Sequence, residues 1–402
     1  MMMQVLSVDS KQLERSFLDF PRRLYLNDSN HVVAFDSEIK KAFDRNINPY
    51  FNHGDAVRWI AVDQKGETVG RIAAFYDSDK DEADYVKSGG CGYFESIDDQ
   101  QVAFLLFDTA KAWLLNNGYE AMTGPINFGE NDTNWGCLVQ GFVPQALGMN
   151  YNFPYYKQLF ESYGFQLYYR QLSFHLDIVK PFPERFWKIA KWINNREGYS
   201  YKHFDLKKTA QFVDDTAAIY NQAWSNFRED FTPMDPASLY DELRKIKSIM
   251  DPEMIWYAYH NGEPIAFYMF LPDANQIFRH LNGKLHLINK LRFLYYKRKK
   301  TITRVRGTAA GVIPKFQNSG VESGIFYLLR KVMDNKPQYT EFELSWVGDF
   351  NPKMISLYLA TGAVHAKTHH TYRYLFDREL PFQRFMEDAV DESKLPENVL
   401  KL

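Results

Sequence analysis

Two stretches of the chain alternate apolar and polar positions on either side of a short turn, which is the pattern of a β-hairpin. The first covers residues 58–77 and reads RWIAVDQKGETVGRIAAFYD, with its turn at Gly66. The second covers residues 255–273 and reads IWYAYHNGEPIAFYMFLPD, with its turn at Gly262. The two turn glycines lie 196 positions apart, so the same unit is predicted once in each half of the chain.

A helix followed by glycine is the second landmark that occurs twice. Residues 155–163 (YYKQLFESY) are followed by Gly164, and residues 352–361 (PKMISLYLAT) by Gly362. Glycine just past a helix end supplies the left-handed backbone of a C-terminal cap. The distance from the hairpin tryptophan to this glycine is 105 residues in the first half and 106 in the second. Matching landmarks at matching spacing predict an internal duplication.

The segments between the landmarks read as strand, helix and strand in both halves. They cover 91–96, 102–115 and 121–126 in the first half, and 302–312, 323–333 and 339–347 in the second. The predicted fold class is α/β, with two tandem lobes that each hold a mixed, mostly antiparallel sheet flanked by helices. We place the boundary after residue 179, so the lobes are 1–179 and 180–402.

Composition fits two folded lobes and narrows the functions. The 402 residues are 45% hydrophobic and 24% charged, which is typical of globular proteins. The formal net charge of -2 argues against a dedicated nucleic-acid binder. The two cysteines, Cys91 and Cys137, form neither a disulfide framework nor a zinc motif, and no metal is expected. The start reads as a first strand and not as a signal peptide. The absence of a disulfide framework predicts a reducing cytoplasm as the location.

A glycine-containing loop in the second half carries a motif for anion binding. Residues 311–322 (GVIPKFQNSGVE) lead from a predicted strand into a predicted helix, whose first N–H groups can hold a pyrophosphate. The segment resembles the acyl-CoA loop of the GNAT acetyltransferase superfamily, whose pattern there is Arg/Gln-x-x-Gly-x-Gly/Ala. Gln317 and Gly320 match this pattern, whereas Glu322 replaces its small last residue. If the motif is read in a shifted register, Gly324 would supply the small residue that lets the pyrophosphate approach the backbone closely.

The last predicted helix carries the second GNAT-like signature. Asn351 opens this helix, Tyr358 lies on it and Gly362 follows it. The corresponding position of the first half holds Phe160, and that half has no matching loop, so it resembles a degenerate lobe. The tandem layout is similar to N-myristoyltransferases and Fem-type peptidyltransferases, and most similar to uncharacterised two-lobe bacterial acetyltransferase-like proteins.

The resemblance implies an N-acyltransferase. The donor would be acetyl-CoA, a longer acyl-CoA or an acyl carrier protein, and the acceptor a small-molecule or peptide amine. An N–H group of Val312 or Ile313 would stabilise the oxyanion, and Tyr358 would protonate the leaving thiolate. The residues expected to hold the donor are Val312, Ile313, Gln317, Asn318, Ser319, Gly320, Val321, Gly324 and Asn351. A Fem-like transfer from aminoacyl-tRNA and a non-catalytic protein that binds an acyl ligand, a lipid or a partner remain alternatives.

Two carboxylates are candidates for the base that deprotonates an ammonium acceptor. On the predicted strand 341–347 (EFELSWV), alternation places Glu343 on the polar face, and Asp349 follows the strand. Either can serve as the base. Carboxylates in such places are also commonly solvated or paired with a cation.

A basic stretch lies next to the predicted donor loop. Residues 274–321 contain 11 Lys or Arg and no Asp or Glu, and the apolar residues from Leu285 to Tyr295 fall on one helical stripe. The part from 279 to 306 can contact the phosphates of CoA, an acyl carrier protein or an anionic membrane surface. In the Fem-like alternative it would hold tRNA, and a solvated exterior helix is equally compatible with the pattern.

A long polar and aromatic segment, 128–150, follows the last predicted strand–helix–strand unit of the first half. Long loops of this kind in compact domains are often functional. We expect an acceptor pocket lined by Asn127, Asn131, Trp135, Asn150 and Tyr151. The alternative is an ordered loop that packs one lobe on the other.

Overall fold

The computed structural model describes residues 3–81, 84–128, 134–225 and 233–401. Thirteen strands of this described part form one sheet. The strands are Gln4–Ser7 (β1), Gly54–Val62 (β2), Thr68–Asp77 (β3), Ser88–Ser96 (β4), Ala121–Gly124 (β5), Cys137–Gln140 (β6), Gln166–Asp177 (β7), Tyr199–His203 (β8), Ile255–His260 (β9), Glu263–Pro272 (β10), Arg304–Val312 (β11), Glu341–Gly348 (β12) and Val364–Leu375 (β13).

Helices cover both faces of the sheet. They are Lys11–Leu24 (α1), Asp36–Ala42 (α2), Gln100–Asn116 (α3), Tyr156–Tyr163 (α4), Glu184–Asn194 (α5), Thr209–Trp224 (α6), Pro236–Ile246 (α7), Asn275–Phe278 (α8), Leu287–Arg298 (α9), Val321–Asp334 (α10), Pro352–Ala360 (α11) and Glu397–Leu400 (α12). Among the described residues, no helix has the length and apolar character needed to cross a membrane.

Both predicted hairpins and both helix stops are present. β2 pairs with β3, and β9 with β10, through turns that hold Gly66 at φ +77° and Gly262 at φ +88°. Gly164 ends α4 at φ +106°, and Gly362 follows α11 at φ +88°. Glycine adopts these backbone angles without strain, unlike residues with a side chain. The four glycines are therefore the reason that the hairpin turns and helix ends could be predicted from the sequence.

The sheet is mixed and mostly antiparallel, and its strand order is β1-β2-β3-β4-β5-β13-β7-β12-β11-β10-β9-β8, with β6 paired to β13. Of its pairings, β4–β5 and β11–β12 are parallel. These findings confirm the predicted fold class.

The two sequence halves exchange their last strands. β7 from the first half lies beside β12 of the second, and β13 from the second half lies beside β5 of the first. β7 and β13 pair with each other at the centre, from Val364–His175 to Arg373–Gln166. The boundary at 179/180 falls between β7 and α5 and stays a prediction, but the exchange means that neither half completes its sheet from its own residues.

Each half of the sheet is packed between two layers of helices. In the second half, α5, α10 and α11 cover one face, with Phe326 and Ile355 fully buried, while α6 and α7 cover the other around Phe212. In the first half, α3 and α4 cover one face around Phe160, and α1 covers the other around Phe17. The same arrangement occurs twice, as the duplicated landmarks predict.

Candidate functional site

Strands β11 and β12 separate part of the way along their length. They pair only where Arg304–Arg306 faces Glu341–Glu343, and beyond this point β12 continues beside β7. The Arg306 guanidinium donates to the Ser345 hydroxyl at 2.8 Å at the mouth of the opening. The splay therefore leaves an edge of β11 without a strand partner among the described residues, in the centre of the sheet, where backbone N–H groups can bind a ligand.

The end of β11 points one of the two predicted oxyanion donors into this splay. The Ile313 N–H donates to the Ile265 carbonyl of β10 at 3.0 Å, so the sheet occupies that donor. Successive N–H groups along a strand point to opposite edges. The Val312 N–H therefore faces the splay. Of the two predicted oxyanion donors, Val312 is the one whose N–H points toward a ligand bound there.

The loop after β11 turns sharply before α10 begins. Asn318 and Gly320 have left-handed backbone angles, with φ of +64° and +85°. The Gln317 side chain donates to the Val312 carbonyl at 3.4 Å, and the Ser319 hydroxyl accepts from the Val321 N–H at 3.4 Å. The turn thus brings the N-terminus of α10 to the end of the splay, and the positive end of a helix dipole favours an anionic group there.

Glu322 and Gly324 lie on the first turn of α10. Burial raises the pKa of the Glu322 carboxyl, and a hydrogen bond from its own backbone N–H lowers it by less. A side chain at Gly324 would place its Cβ 2.4 Å from the Tyr201 hydroxyl oxygen. Gly324 is therefore closely packed against Tyr201, and its part in holding a donor stays a prediction.

Tyr358 and Asn351 occupy the predicted positions on α11. The Asn351 side chain caps the helix by accepting from the Met354 N–H at 3.2 Å. Tyr358 is 8% exposed, and its ring packs edge-on against Phe174 with the centroids 5.6 Å apart. Burial raises the pKa of the Tyr358 phenol. The hydroxyl is therefore protonated at neutral pH, which is the form that a general acid requires.

Glu343 lies in a buried ion pair. Its Oε1 accepts from the Lys367 ammonium at 2.7 Å and from the Ser173 hydroxyl at 2.9 Å, and both members of the pair are 2% exposed. Burial is the largest single effect and would raise the pKa of Glu343, but Lys367, Arg304 and Ser173 together outweigh it and the net shift is downward. A carboxylate held ionised by a buried lysine accepts a proton poorly. Its role as a base stays a prediction.

Asp349 is enclosed by two arginines. Its side chain is fully buried, with Oδ2 lying 2.6 Å from an Arg384 nitrogen and 3.4 Å from an Arg170 nitrogen. Burial raises the pKa of Asp349 against the opposing effect of the two guanidinium groups. The contacts tie β12 to β7 and to the C-terminal segment, and catalysis by Asp349 likewise stays a prediction.

Two of the five residues expected in the acceptor pocket come together in one cavity. This cavity, of about 10 Å³, has room for about one water molecule. It is lined by Trp135, Gly148, Met149, Asn150, Gln171, Trp346 and His369. Asn127 instead accepts from the Tyr93 N–H at 2.8 Å, and the Tyr151 hydroxyl donates to Asp28 at 2.6 Å. Asn131 lies outside the described residues.

The segment that carries Trp135 and Asn150 also packs the two halves together. The Leu147 N–H donates to Asp273 at 2.9 Å, and Asp273 pairs with the buried Arg304 at 2.6 Å. These contacts agree with the alternative of an ordered packing loop. They do not exclude a pocket, because the cavity lies between the same segment and strands β7, β12 and β13.

His369 is the cavity residue that the sequence did not single out. Its Nε2 lies 2.9 Å from the Asn150 carbonyl, which can only accept a hydrogen bond, so Nε2 carries the proton and Nδ1 is the basic nitrogen. Burial lowers the pKa of His369 to about 4, which keeps the ring neutral at pH 7. The sequence signal that could have identified His369 was the alternation of residues along β13, which places Lys367 and His369 on the same face of the sheet.

Among the described residues, His53, Asp77 and Asp79 form a group of potential metal ligands whose donor atoms lie within 4.8 Å of one another. His53 Nδ1 already lies 2.6 Å from an Asp77 oxygen. A hydrogen bond accounts for this contact without a metal, and the group belongs to the first half of the chain.

The geometry can now be compared with known proteins. No protein-family model matches the chain. A solved tandem GNAT protein from the clavulanic acid biosynthesis pathway superposes on 95% of this chain and 100% of its own, with a TM-score of 0.53 and 9% identity. This chain has the tandem GNAT fold. A GCN5-related N-acetyltransferase from Sphaerobacter thermophilus aligns with 97% of this chain and 98% of its own, at a TM-score of 0.50 and 9% identity.

A fungal multi-domain β-N-acetylglucosaminidase with a GCN5-related glucosamine N-acetyltransferase region has a TM-score of 0.54 and 12% identity. That match covers 93% of this chain but 38% of the fungal one. These likenesses confirm the tandem GNAT fold that the loop and helix signatures suggested.

Two curated proteins are similar in sequence over nearly their whole length. Bacterial ceramide synthase from Caulobacter vibrioides is 27% identical over 378 residues, which cover 92% of this chain and 97% of that protein. Protein YghO from Escherichia coli is 26% identical over 365 residues, covering 89% of this chain and 92% of that protein. The similarity spans both lobes of the tandem GNAT fold, so it does not depend on one shared motif.

Proposed function

We propose that the protein is an N-acyltransferase that joins a fatty acyl group from acyl-CoA to the amine of a long-chain amino alcohol. The observation that carries the proposal is the splay of β11 and β12 beside the 313–320 loop, in a chain with the tandem GNAT fold. The acceptor class follows from the nearly full-length likeness to a protein named bacterial ceramide synthase. A ceramide is the amide of such an amino alcohol with a fatty acid.

The donor would bind along the splay. The pyrophosphate would lie at the N-terminus of α10, where Ser319 and Gly320 form the turn. The thioester carbonyl would accept from the Val312 N–H, a donor already in place before the reaction. The acceptor would approach from the side of Trp135 and Trp346, and the small cavity that they line would open to admit it.

The chemistry needs no acyl-enzyme. The acceptor ammonium first loses one proton, and the freed nitrogen attacks the thioester carbon. The C–S bond breaks, the thiolate takes a proton from the Tyr358 hydroxyl, and the Tyr358 oxygen takes the second proton that the nitrogen releases. The ammonium proton passes to a base. Glu343 and Asp349 are the candidates from the sequence. Nδ1 of His369 is unprotonated at pH 7, but the burial that lowers its pKa to about 4 makes it a weak base.

The test uses the purified full-length chain with acyl-CoA donors from acetyl-CoA to palmitoyl-CoA and with sphinganine as the acceptor. Thiol release is followed with Ellman's reagent, and the amide is identified by mass spectrometry. Cys91 and Cys137 are both fully buried, so the native protein should add little to the thiol signal. An acyl carrier protein and an aminoacyl-tRNA serve as alternative donors.

Formation of an amide from a long-chain acyl-CoA supports the proposal. Amide formed only from aminoacyl-tRNA would support the Fem-like alternative instead. Absence of product with every donor, together with no binding of CoA in calorimetry, would overturn the proposal in favour of a non-catalytic protein.

The role of Tyr358 is tested by Tyr358→Phe. We expect kcat to fall by about 10²-fold with acyl-CoA binding unchanged, because the ring stays and only the proton donor is lost. Tyr327→Phe on α10 is the matched control, since Tyr327 packs against Trp187 and Lys331. Equal activity of the two variants would show that Tyr358 is not the acid.

A further inference from the structure

An insertion between β10 and β11 of the second half carries an exposed helix. This insertion contains α8 and α9, and α9 begins at Leu287 and ends at Arg298. At about 100° per residue, the side chains of α9 divide into two mainly apolar faces with basic residues on both sides between them, and Arg298 lies within one of these faces. One apolar face is turned to the protein and the other to solvent.

Three residues attach the inner face of α9. Asn289 is 3% exposed and donates to the carbonyls of Leu281 and Lys284, both at 2.8 Å. Phe293 packs against Phe278 with the ring centroids 6.0 Å apart, and Tyr296 stacks on His280 at 4.4 Å. The helix therefore has a defined orientation, and its outer face is not exposed by local fraying.

The outer face holds five large side chains that are between 52% and 73% exposed. These residues fall within about 120° of arc on the helix, and the exposed Arg298 lies within the same arc at its C-terminal end. They are Leu287, Ile288, Leu291, Leu294 and Tyr295. Single exposed apolar residues are ordinary, but a contiguous group of this size on one short helix marks a surface that contacts a partner.

Basic side chains lie on both sides of this face. Lys290 and Lys297 lie on one flank, Arg292 and Lys299 on the other, and all four are exposed. The whole stretch 274–321 contains no acidic residue. A partner that fits this pattern presents negative charge around an apolar interior, as an anionic lipid headgroup layer does.

We propose that α9 docks on an anionic membrane surface, with its five-residue outer face inserted between the headgroups and its basic flanks against their phosphates. A polyanion such as tRNA would use the basic flanks but leave the apolar face in water. The bilayer uses both features, which is why the observations favour it.

Docking through α9 would bring the candidate site close to lipid. Asn275 of α8 donates to the Gln145 carbonyl at 3.3 Å, and the Leu147 N–H donates to Asp273 just before α8. The insertion thus contacts the same segment that supplies Trp135 and Asn150 to the cavity. The docking itself does not depend on the proposed acyl transfer.

Co-sedimentation of the full-length chain with lipid vesicles tests the surface. We expect binding to vesicles made of equal parts phosphatidylcholine and phosphatidylglycerol, and at least about tenfold weaker binding to phosphatidylcholine alone. The triple variant Leu287→Ser, Leu291→Ser, Leu294→Ser should bind the anionic vesicles at least about tenfold more weakly. Leu26→Ser with Ile47→Ser is the matched control, because these residues are 78% and 58% exposed elsewhere.

A reporter variant adds a readout of insertion. Leu291→Trp should shift its fluorescence to shorter wavelength on anionic vesicles, because the indole leaves water. The proposal is overturned if the triple variant and its control bind vesicles equally well. It is also overturned if the wild type does not bind anionic vesicles, or if the triple substitution weakens binding to an acyl carrier protein or RNA and leaves vesicle binding intact. None of these outcomes requires an acyltransferase activity.

Discussion

The buried ion pair between Lys367 and Glu343 lies at the centre of the sheet, and its contribution to stability can be measured by replacing Lys367. Replacing Lys367 by Met keeps most of the length of the side chain but leaves the Glu343 carboxylate, 2% exposed, with the Ser173 hydroxyl as its hydrogen-bond partner and Arg304 as the nearby cation. Removing one member of a buried ion pair typically costs about 3–5 kcal/mol, because the other charge stays buried without compensation. We expect Lys367→Met to lose that much free energy of unfolding at pH 7.5.

The loss should depend on pH in a defined direction. In the wild type, the lowered pKa of Glu343 means that the pair stabilises the fold above the unfolded-state pKa and that this stability is lost as pH falls. In Lys367→Met the carboxyl has lost its hydrogen-bonded cation and keeps only the weaker effect of Arg304, so burial raises its pKa and it takes up a proton more readily. The difference between the two proteins should therefore shrink from pH 7.5 to pH 5.

Urea unfolding followed by circular dichroism measures both quantities. The double variant Lys367→Met, Glu343→Leu removes both charges and should recover most of the stability, since an apolar pair can replace a buried ion pair. Lys188→Met is the surface control, because its partner Glu184 is 82% exposed and the pair is screened by water. A double variant as unstable as the sum of its two single variants would refute the reasoning.

The same double variant separates two roles for Glu343. If Glu343 only holds the sheet together, the stable double variant should keep its acyltransfer activity. If Glu343 is the base, the double variant should be folded and inactive at every pH.

Two further predictions concern packing and acid stability. Gly324→Ala should destabilise the protein by about 1–3 kcal/mol, since its Cβ would lie 2.4 Å from the Tyr201 hydroxyl oxygen, and a thermal midpoint equal to wild type would contradict this contact. Tyr201→Phe should be neutral or stabilising in the same scan, because the buried hydroxyl has no hydrogen-bond partner among the described residues. Burial lowers the pKa of His369 to about 4 and of His370 to about 3. In the unfolded chain both histidines have a pKa of about 6.5, so below that pH the unfolded state binds more protons than the folded state. Each histidine should therefore lower the free energy of unfolding by about 2 kcal/mol between pH 7.5 and pH 5. The urea midpoint of His369→Gln should depend less steeply on pH than that of the wild type. An unchanged slope would mean that His369 is accessible to protons in the folded state.

Some elements of the fold were predictable because their signals are local. The hairpin turns at Gly66 and Gly262 and the helix stop at Gly164 each depend on a backbone conformation that glycine adopts without strain. The loop before α10 was recognised for the same reason, since its turn requires Gly320. Periodicity then placed the strands and helices between these points.

The candidate site was only partly predictable. The alternation of β12 correctly put Glu343 on a polar face, but it carried no information on what covers that face. Lys367, which pairs with Glu343, comes from the exchanged strand β13. His369 and Asn150 are 219 residues apart in sequence, so no spacing rule connects them.

By itself, the sequence of this protein determined the repeated units, their turns and the donor-type loop, because each depends on a few neighbouring residues and their backbone angles. Only the tertiary structure decided that β7 and β13 exchange places, because strand partners are chosen by burial and register across the whole molecule and not by local pattern. That exchange brings Lys367 to Glu343 and His369 to Asn150. The environment of the candidate site is therefore a property of the assembled sheet.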